Sequence, residues 1–231
     1  MTLWAWRHPR PHGVAGRCIG HTDVAVDPRK AKRLAHRIRQ HVRRQMRQQS
    51  GQQIRQPRRQ QTRRSAHPGQ RLGAPTSHSP HLVVTSPLQR SASVGRWLKA
   101  WGWAHRVDAR LCEMDFGAWD GQRWDDIGAA AVGAWCAAFA HGPAGGGESV
   151  AQLLARCAAF IEHATAAVPH ERLCIVGHAG WISAALWLAQ GHRHAPTASD
   201  WPRAVDYGRC VCLGGAQSAR SPDTPLAAGP R

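Results

Sequence analysis

An α/β fold is predicted by three short apolar runs that each end in a polar turn, two of them followed by a helix-like stretch. Leu3-Trp4-Ala5-Trp6 runs into Arg7-His8-Pro9, and Leu82-Val83-Val84-Thr85 into Ser86-Pro87-Leu88-Gln89-Arg90. Leu173-Cys174-Ile175-Val176 runs into Gly177-His178-Ala179-Gly180. Brief, unbroken apolar runs bounded by turn residues read as buried strands. Ligands of α/β proteins bind outside the carboxyl ends of such strands.

Taken in order, the first strand is followed by a candidate amphipathic helix over residues 29–47. There Ala31, Leu34, Ala35, Ile38, Val42 and Met46 recur at helical spacing, and the basic residues fall mostly on other faces. Beyond Met46 the apolar period fades into a stretch of Gln, Arg, Ser, Gly and Pro with almost nothing to bury. Residues from about 44 to 78 are therefore expected to form a disordered insertion or a long loop. The second strand leads into helix-like SASVGRWLKAW, and the third into WISAALWLAQ. Between them, GGGES at 145–149 reads as a flexible loop with Ser149 as the N-cap of a helix. That helix presents Val150, Leu153, Leu154, Cys157, Ile161 and Ala164 on one face. One domain is expected over residues 1–213, with 214–231 as a flexible tail.

If the three strands are parallel neighbours, Arg7, His8, Arg90 and His178 gather at one edge of the sheet. Two guanidiniums and two imidazoles make a pocket for a dianion, most economically a phosphoryl group. A single such histidine is more often structural and a single such arginine a surface charge. It is their joint placement at strand ends that points to a site.

Composition bears on what else the chain could be. The 31 Lys+Arg against 14 Asp+Glu give a formal charge of +17, but the charge is localised. Residues 28–107 hold 19 basic residues and no acidic one, whereas the rest of the chain holds 12 basic and 14 acidic. A near-neutral protein thus carries one very basic segment, which allows nucleic-acid binding, although a solvated insertion is the favoured reading. No apolar run is long enough for a membrane span, and the N-terminal residues lack a signal-peptide pattern, so a cytoplasmic location is expected. The seven cysteines are odd in number and include no CxxC pair, which suits reduced core thiols. The chain shows neither Cys/His sets at zinc spacing nor a P-loop nor a dinucleotide fingerprint, so neither a metal nor a cofactor is indicated.

RHPRP, SPLQR, LCEMDFGAWDG, GGGES and VGHAG, in this order, resemble the histidine phosphatase superfamily with its phosphoglycerate mutase-like fold. Within it they are most similar to the bacterial α-ribazole phosphatase branch of the cobalamin pathway. The resemblance implies a three-layer α/β/α sandwich with a mostly parallel central sheet. It also implies His8 as the phosphoryl-accepting nucleophile, with Arg7, Arg90 and His178 around the phosphoryl oxygens, and Glu113 as proton donor to the leaving alkoxide. His178 and Glu113 join His8 as expected catalytic residues, and Arg7 and Arg90 are the expected phosphate binders. Arg17, Trp119 and Glu148 are candidates for the substrate pocket. Pro9 and Asp120 depart from the commonest pattern, which has Gly and Glu there, and the usual downstream Asn has no clear counterpart.

The implied activity is a metal-independent phosphomonoesterase acting through phosphohistidine on a small phosphorylated metabolite, α-ribazole 5′-phosphate being one such substrate. A phosphoglycerate-type mutase, a phosphatase of another metabolite and a nucleic-acid-binding protein using residues 28–107 are the alternatives. Oligomeric state is left open by the sequence.

Overall fold

A computed structural model describes residues 3–53, 81–167, 173–192 and 194–213. In chain order the elements are β1 (Leu3–Arg7), α1 (Pro28–Gln53), β2 (Leu82–Thr85), α2 (Gln89–Ala100), β3 (Ala104–Val107), α3 (Trp124–Ile127), α4 (Ala129–Ala137), α5 (Val150–Ala167), β4 (Leu173–Gly177), α6 (Ala179–Ala189) and β5 (Cys210–Leu213). The five strands form one sheet in the order β3-β2-β4-β1-β5, parallel except for β5.

The three strands expected from apolar runs are the middle of this sheet. Their side chains alternate between its two faces, as strand geometry requires. Leu3, Ala5, Leu82, Val84, Leu173 and Ile175 join the core beneath α5 and α6. Trp6, Val83, Cys174 and Val176 join the one beneath α1 and α2. Helices thus cover both faces, giving the mostly parallel α/β/α architecture expected from the motifs. The two edge strands went unread: Ala104-His105-Arg106-Val107 contains no apolar run and its last two residues are exposed, whereas Cys210-Val211-Cys212-Leu213 is a short apolar run just before the residues expected to form a tail.

One expectation is corrected. The segment from about residue 44 was read as insertion or loop, yet α1 continues through Gln53. Arg, Gln and Met have good helix propensity, and the first proline after Pro28 is Pro57, so fading amphipathicity did not end the helix. The remainder of the expected insertion and the 214–231 tail lie outside the described residues. No described helix is long and apolar enough to cross a membrane.

The register places the site. Arg7 is level with Gly177 on β4, and Val176 with Thr85 on β2, so His8, His178 and Ser86 leave the sheet side by side. His8 N–H donates to Gly177 O at 3.0 Å and locks that alignment one residue beyond the ladder.

Candidate active site

His8 and His178 are buried, with ring centroids 4.9 Å apart. His8 Nδ1 lies 2.7 Å from its neighbour's carbonyl, Pro9 O. A carbonyl only accepts, so Nδ1 bears the proton and Nε2 keeps its lone pair. Burial, followed by the charges of Arg90 and Arg7, lowers the His8 pKa from 6.5 to about 3 against the opposing pull of the Pro9 carbonyl. The ring is therefore neutral at ordinary pH and can attack through Nε2.

Arg7 stacks its guanidinium 3.7 Å above the Tyr207 ring and donates Nη1 to Val205 O at 2.7 Å. Its buried Nε has no partner. An orphaned cationic donor next in sequence to a neutral imidazole suits an arriving anion.

Arg90 is 1% exposed on the first turn of α2. Its Nε donates to His178 Nδ1 at 3.2 Å, Nη1 to Thr22 O at 2.7 Å, and Nη2 to Gly20 O. Two of its five N–H groups remain for a ligand. Because the arginine Nε can only donate, His178 Nδ1 accepts, and the Nε2 proton is directed to Ser86 Oγ at 2.7 Å. Burial, then the charges of His8, Arg90, Arg156 and Arg7, push the His178 pKa well below its usual value. The loop that receives Arg90 is itself tied down: Asp120 accepts from Gly20 N and Thr22 N at 2.7 and 2.6 Å. Asp120 thus holds this loop with both carboxylate oxygens.

Glu113 is buried at 7% exposure. Its carboxylate accepts from Met114 N at 3.0 Å and from Gly180 N, in the first turn of α6, at 2.9 Å. The backbone leading into Glu113 is clamped by Arg156 of α5. Arg156 Nη1 donates to Arg110 O and Cys112 O, both at 2.8 Å, and Nη2 to Glu113 O at 3.0 Å. Its remaining donors grip Glu148 at 2.6 and 2.8 Å. Among the described residues no three His, Cys, Asp or Glu side chains are arranged to hold a metal ion.

The family model of the histidine phosphatase superfamily (branch 1) matches residues 59–210, well over half of the chain. This chain belongs to the histidine phosphatase superfamily. The matched stretch includes Arg90, Glu113 and His178 and begins after Arg7 and His8, which the sheet brings to the same edge. Among solved structures, a mycobacterial glucosyl-3-phosphoglycerate phosphatase in complex with VO3 is similar, at 22% identity and a TM-score of 0.63, with 91% of each chain covered. The α-ribazole phosphatase of Shigella flexneri is similar at 22% identity and a TM-score of 0.61, with 92% of this chain and 89% of that one covered. No curated protein matches the sequence.

In this histidine phosphatase the three candidate pocket residues make the following contacts. Arg17 is exposed and donates Nη1 to Gly121 O at 2.8 Å, bracing one loop against another. Trp119 packs edge-on against Trp135, with ring centroids 6.0 Å apart. Glu148 pairs with Arg156 at 2.6 Å, which offsets its charge inside the protein. Two of the three glycines before Glu148, a stretch expected to be a flexible loop, are closely packed, while Gly146 has open space. A Cβ at Gly145 or Gly147 would collide with the backbone of Phe116 or Asp115. Ser149 does cap α5: its Oγ accepts from Gln152 N at 3.3 Å while Gln152 Oε1 accepts from Ser149 N at 2.8 Å.

Tyr207, Ser86, Asp120 and Arg156 escaped the reading of the sequence as site components. Tyr207 is the only tyrosine in the chain and stands just before a short apolar run, the one signal that could have drawn attention to it. Its segment closes over the first strand end, with Gly208 N donating to Arg7 O at 3.0 Å and Arg7 N to Arg209 O at 3.0 Å.

Proposed function

We propose that this histidine phosphatase hydrolyses phosphomonoesters through a phosphorylated His8, without a metal. The observation that carries the reading is the His8 tautomer: Nδ1 bound to Pro9 O, leaving Nε2 its lone pair on a ring that feels the charges of Arg90 and Arg7. Nε2 attacks phosphorus, the P–N bond forms as the ester P–O bond breaks, and Glu113 protonates the departing alkoxide. The Glu113 carboxylate then takes a proton from water, which attacks phosphorus, releases inorganic phosphate and restores the neutral ring. Arg7 and Arg90 offset the charge gathering on the equatorial oxygens, the role a metal plays elsewhere. His178 orients Arg90 through the Nδ1 bond, with its ring centroid 4.9 Å from that of His8.

Phosphatase assays in EDTA on p-nitrophenyl phosphate and on an alkyl phosphate, comparing the wild type with His8→Ala, test this reading. Loss of turnover in the variant supports it, and full activity sinks it.

For the substrate, the motif resemblance favours α-ribazole 5′-phosphate. An equal 22% identity to a glucosyl-3-phosphoglycerate phosphatase supports a phosphorylated sugar acid as the second reading. Side-by-side kcat/KM values for the two esters decide between them.

A further inference from the structure

The outer face of the α1–α2 layer is the most strongly charged surface among the described residues, and the proposed chemistry makes no use of it. The apolar stripe of α1, with Leu34, Ile38 and Val42, is buried against the sheet. Arg29, Lys32, Arg33, Arg43, Arg44 and Arg47 are left exposed along the other side. At 1.5 Å per residue, Arg29 to Arg47 spans ~27 Å, the rise of about eight base pairs. Arg96 and Lys99 of α2 are exposed alongside, and a groove of about 590 Å3 between α2 and residues 25–28 continues the face past Arg96 and Trp97. None of the ion pairs seen among the described residues involves an α1 side chain, and no acidic residue occurs from 28 to 107.

We infer that this face docks nucleic acid through the phosphate backbone of a duplex, apart from the His8 site. Three observations favour that occupant over other anions. Seven of the nine basic residues of α1 are arginine, whose planar fork matches phosphate better than a lysine ammonium does. Lys32 and Arg39 lie over the rings of Trp97 and Trp101, at 4.9 and 5.6 Å, so these tryptophans prop up cations and do not present open stacking platforms. A backbone-reading mode follows, not base stacking on single strands. Lastly, an amphipathic helix on a membrane inserts its apolar stripe, and here that stripe is committed to the core.

The test is fluorescence anisotropy with a labelled duplex of about 20 base pairs and with phosphatidylserine vesicles, using the full chain. If about five phosphates are neutralised, raising salt fourfold weakens duplex binding on the order of 100- to 1,000-fold. Arg33→Gln, Arg43→Gln and Arg44→Gln combined should weaken binding at least tenfold and lower the log–log salt slope by about 3. Their turnover of p-nitrophenyl phosphate should match the wild type, which also reports an intact fold. A charge-reversing set, Arg33→Glu, Arg43→Glu and Arg44→Glu, should abolish binding. Duplex binding that is absent or salt-insensitive in the wild type, or unchanged in the triple variants, overturns the inference. So does preferential binding of the vesicles, which would assign the face to lipid. Because turnover is read separately, failure here leaves the phosphohistidine reading untouched.

Discussion

Arg156 donates Nη2 to the carbonyl oxygen of Glu113 at 3.0 Å while the same guanidinium forks onto Glu148. A charged pair on α5 and the loop before it thereby holds the backbone of the proposed proton donor from behind. Arg156→Ala should reduce kcat/KM on an alkyl phosphate by roughly 100-fold, as expected for a misplaced catalytic group. The loss of kcat/KM on p-nitrophenyl phosphate should be much smaller, since that leaving group departs without a proton and hydrolysis of the phosphoenzyme, where Glu113 also acts, does not enter kcat/KM. Equal losses on both substrates would mean that Arg156 acts on the phosphate site or on folding alone.

Gly180→Ala addresses the same group from the other side. A Cβ at that position would collide with Glu113 Oε1. The better helix propensity of alanine offsets part of the cost of displacing the buried carboxylate, so the melting temperature should change little. Turnover of alkyl phosphates should nevertheless fall at least tenfold by the same leaving-group criterion, and unchanged turnover would contradict the placement of Glu113.

Stability should fall as the solution is acidified. His8 has a pKa of about 3 in the folded protein and an ordinary value of 6.5 when unfolded. Between those values the unfolded chain binds the extra proton, so the stability present above about pH 6.5 is progressively lost towards pH 3. At pH 5 the shift costs about 2 kcal/mol for His8 alone. His178, shifted in the same direction, adds to the loss. Denaturant midpoints over this range measure the effect, and His8→Gln should flatten it. A midpoint that rises on acidification would contradict the neutral, buried histidine.

Tyr207 supports Arg7 through the face of its ring, 3.7 Å from the guanidinium carbon. Cation–π contacts contribute about 0.5–2 kcal/mol. Tyr207→Leu should therefore weaken inhibition by inorganic phosphate roughly 3- to 30-fold, with kcat on p-nitrophenyl phosphate less affected. Unchanged phosphate affinity would detach Tyr207 from the site.

The central strands and the clustering of Arg7, His8, Arg90 and His178 were legible because each residue follows a short apolar run, and parallel pairing in register does the rest. Glu113 came from motif resemblance alone: nothing local in its sequence says that it folds back under Gly180. Arg156 and Asp120 were illegible for a related reason. Their partners are backbone carbonyls and amides of loops 43–46 and 98–100 residues away, and such contacts leave no residue-type pattern. Glu148 was half legible, since its charge was visible while the arginine that neutralises it stands one helix face further on. The end of α1 was misread because lost amphipathicity was taken as lost helix, although propensity persists where there is nothing to bury.

Trapping the phosphoenzyme tests the central claim most directly. The protein is mixed with a phosphomonoester, quenched at alkaline pH, where phosphohistidine survives, and digested for mass spectrometry. The account predicts one added phosphoryl group on the peptide containing His8, absent in His8→Ala and discharged when the wild type is left to turn over. Full turnover with no covalent phosphate on that peptide, or with the phosphate on another residue, would contradict it.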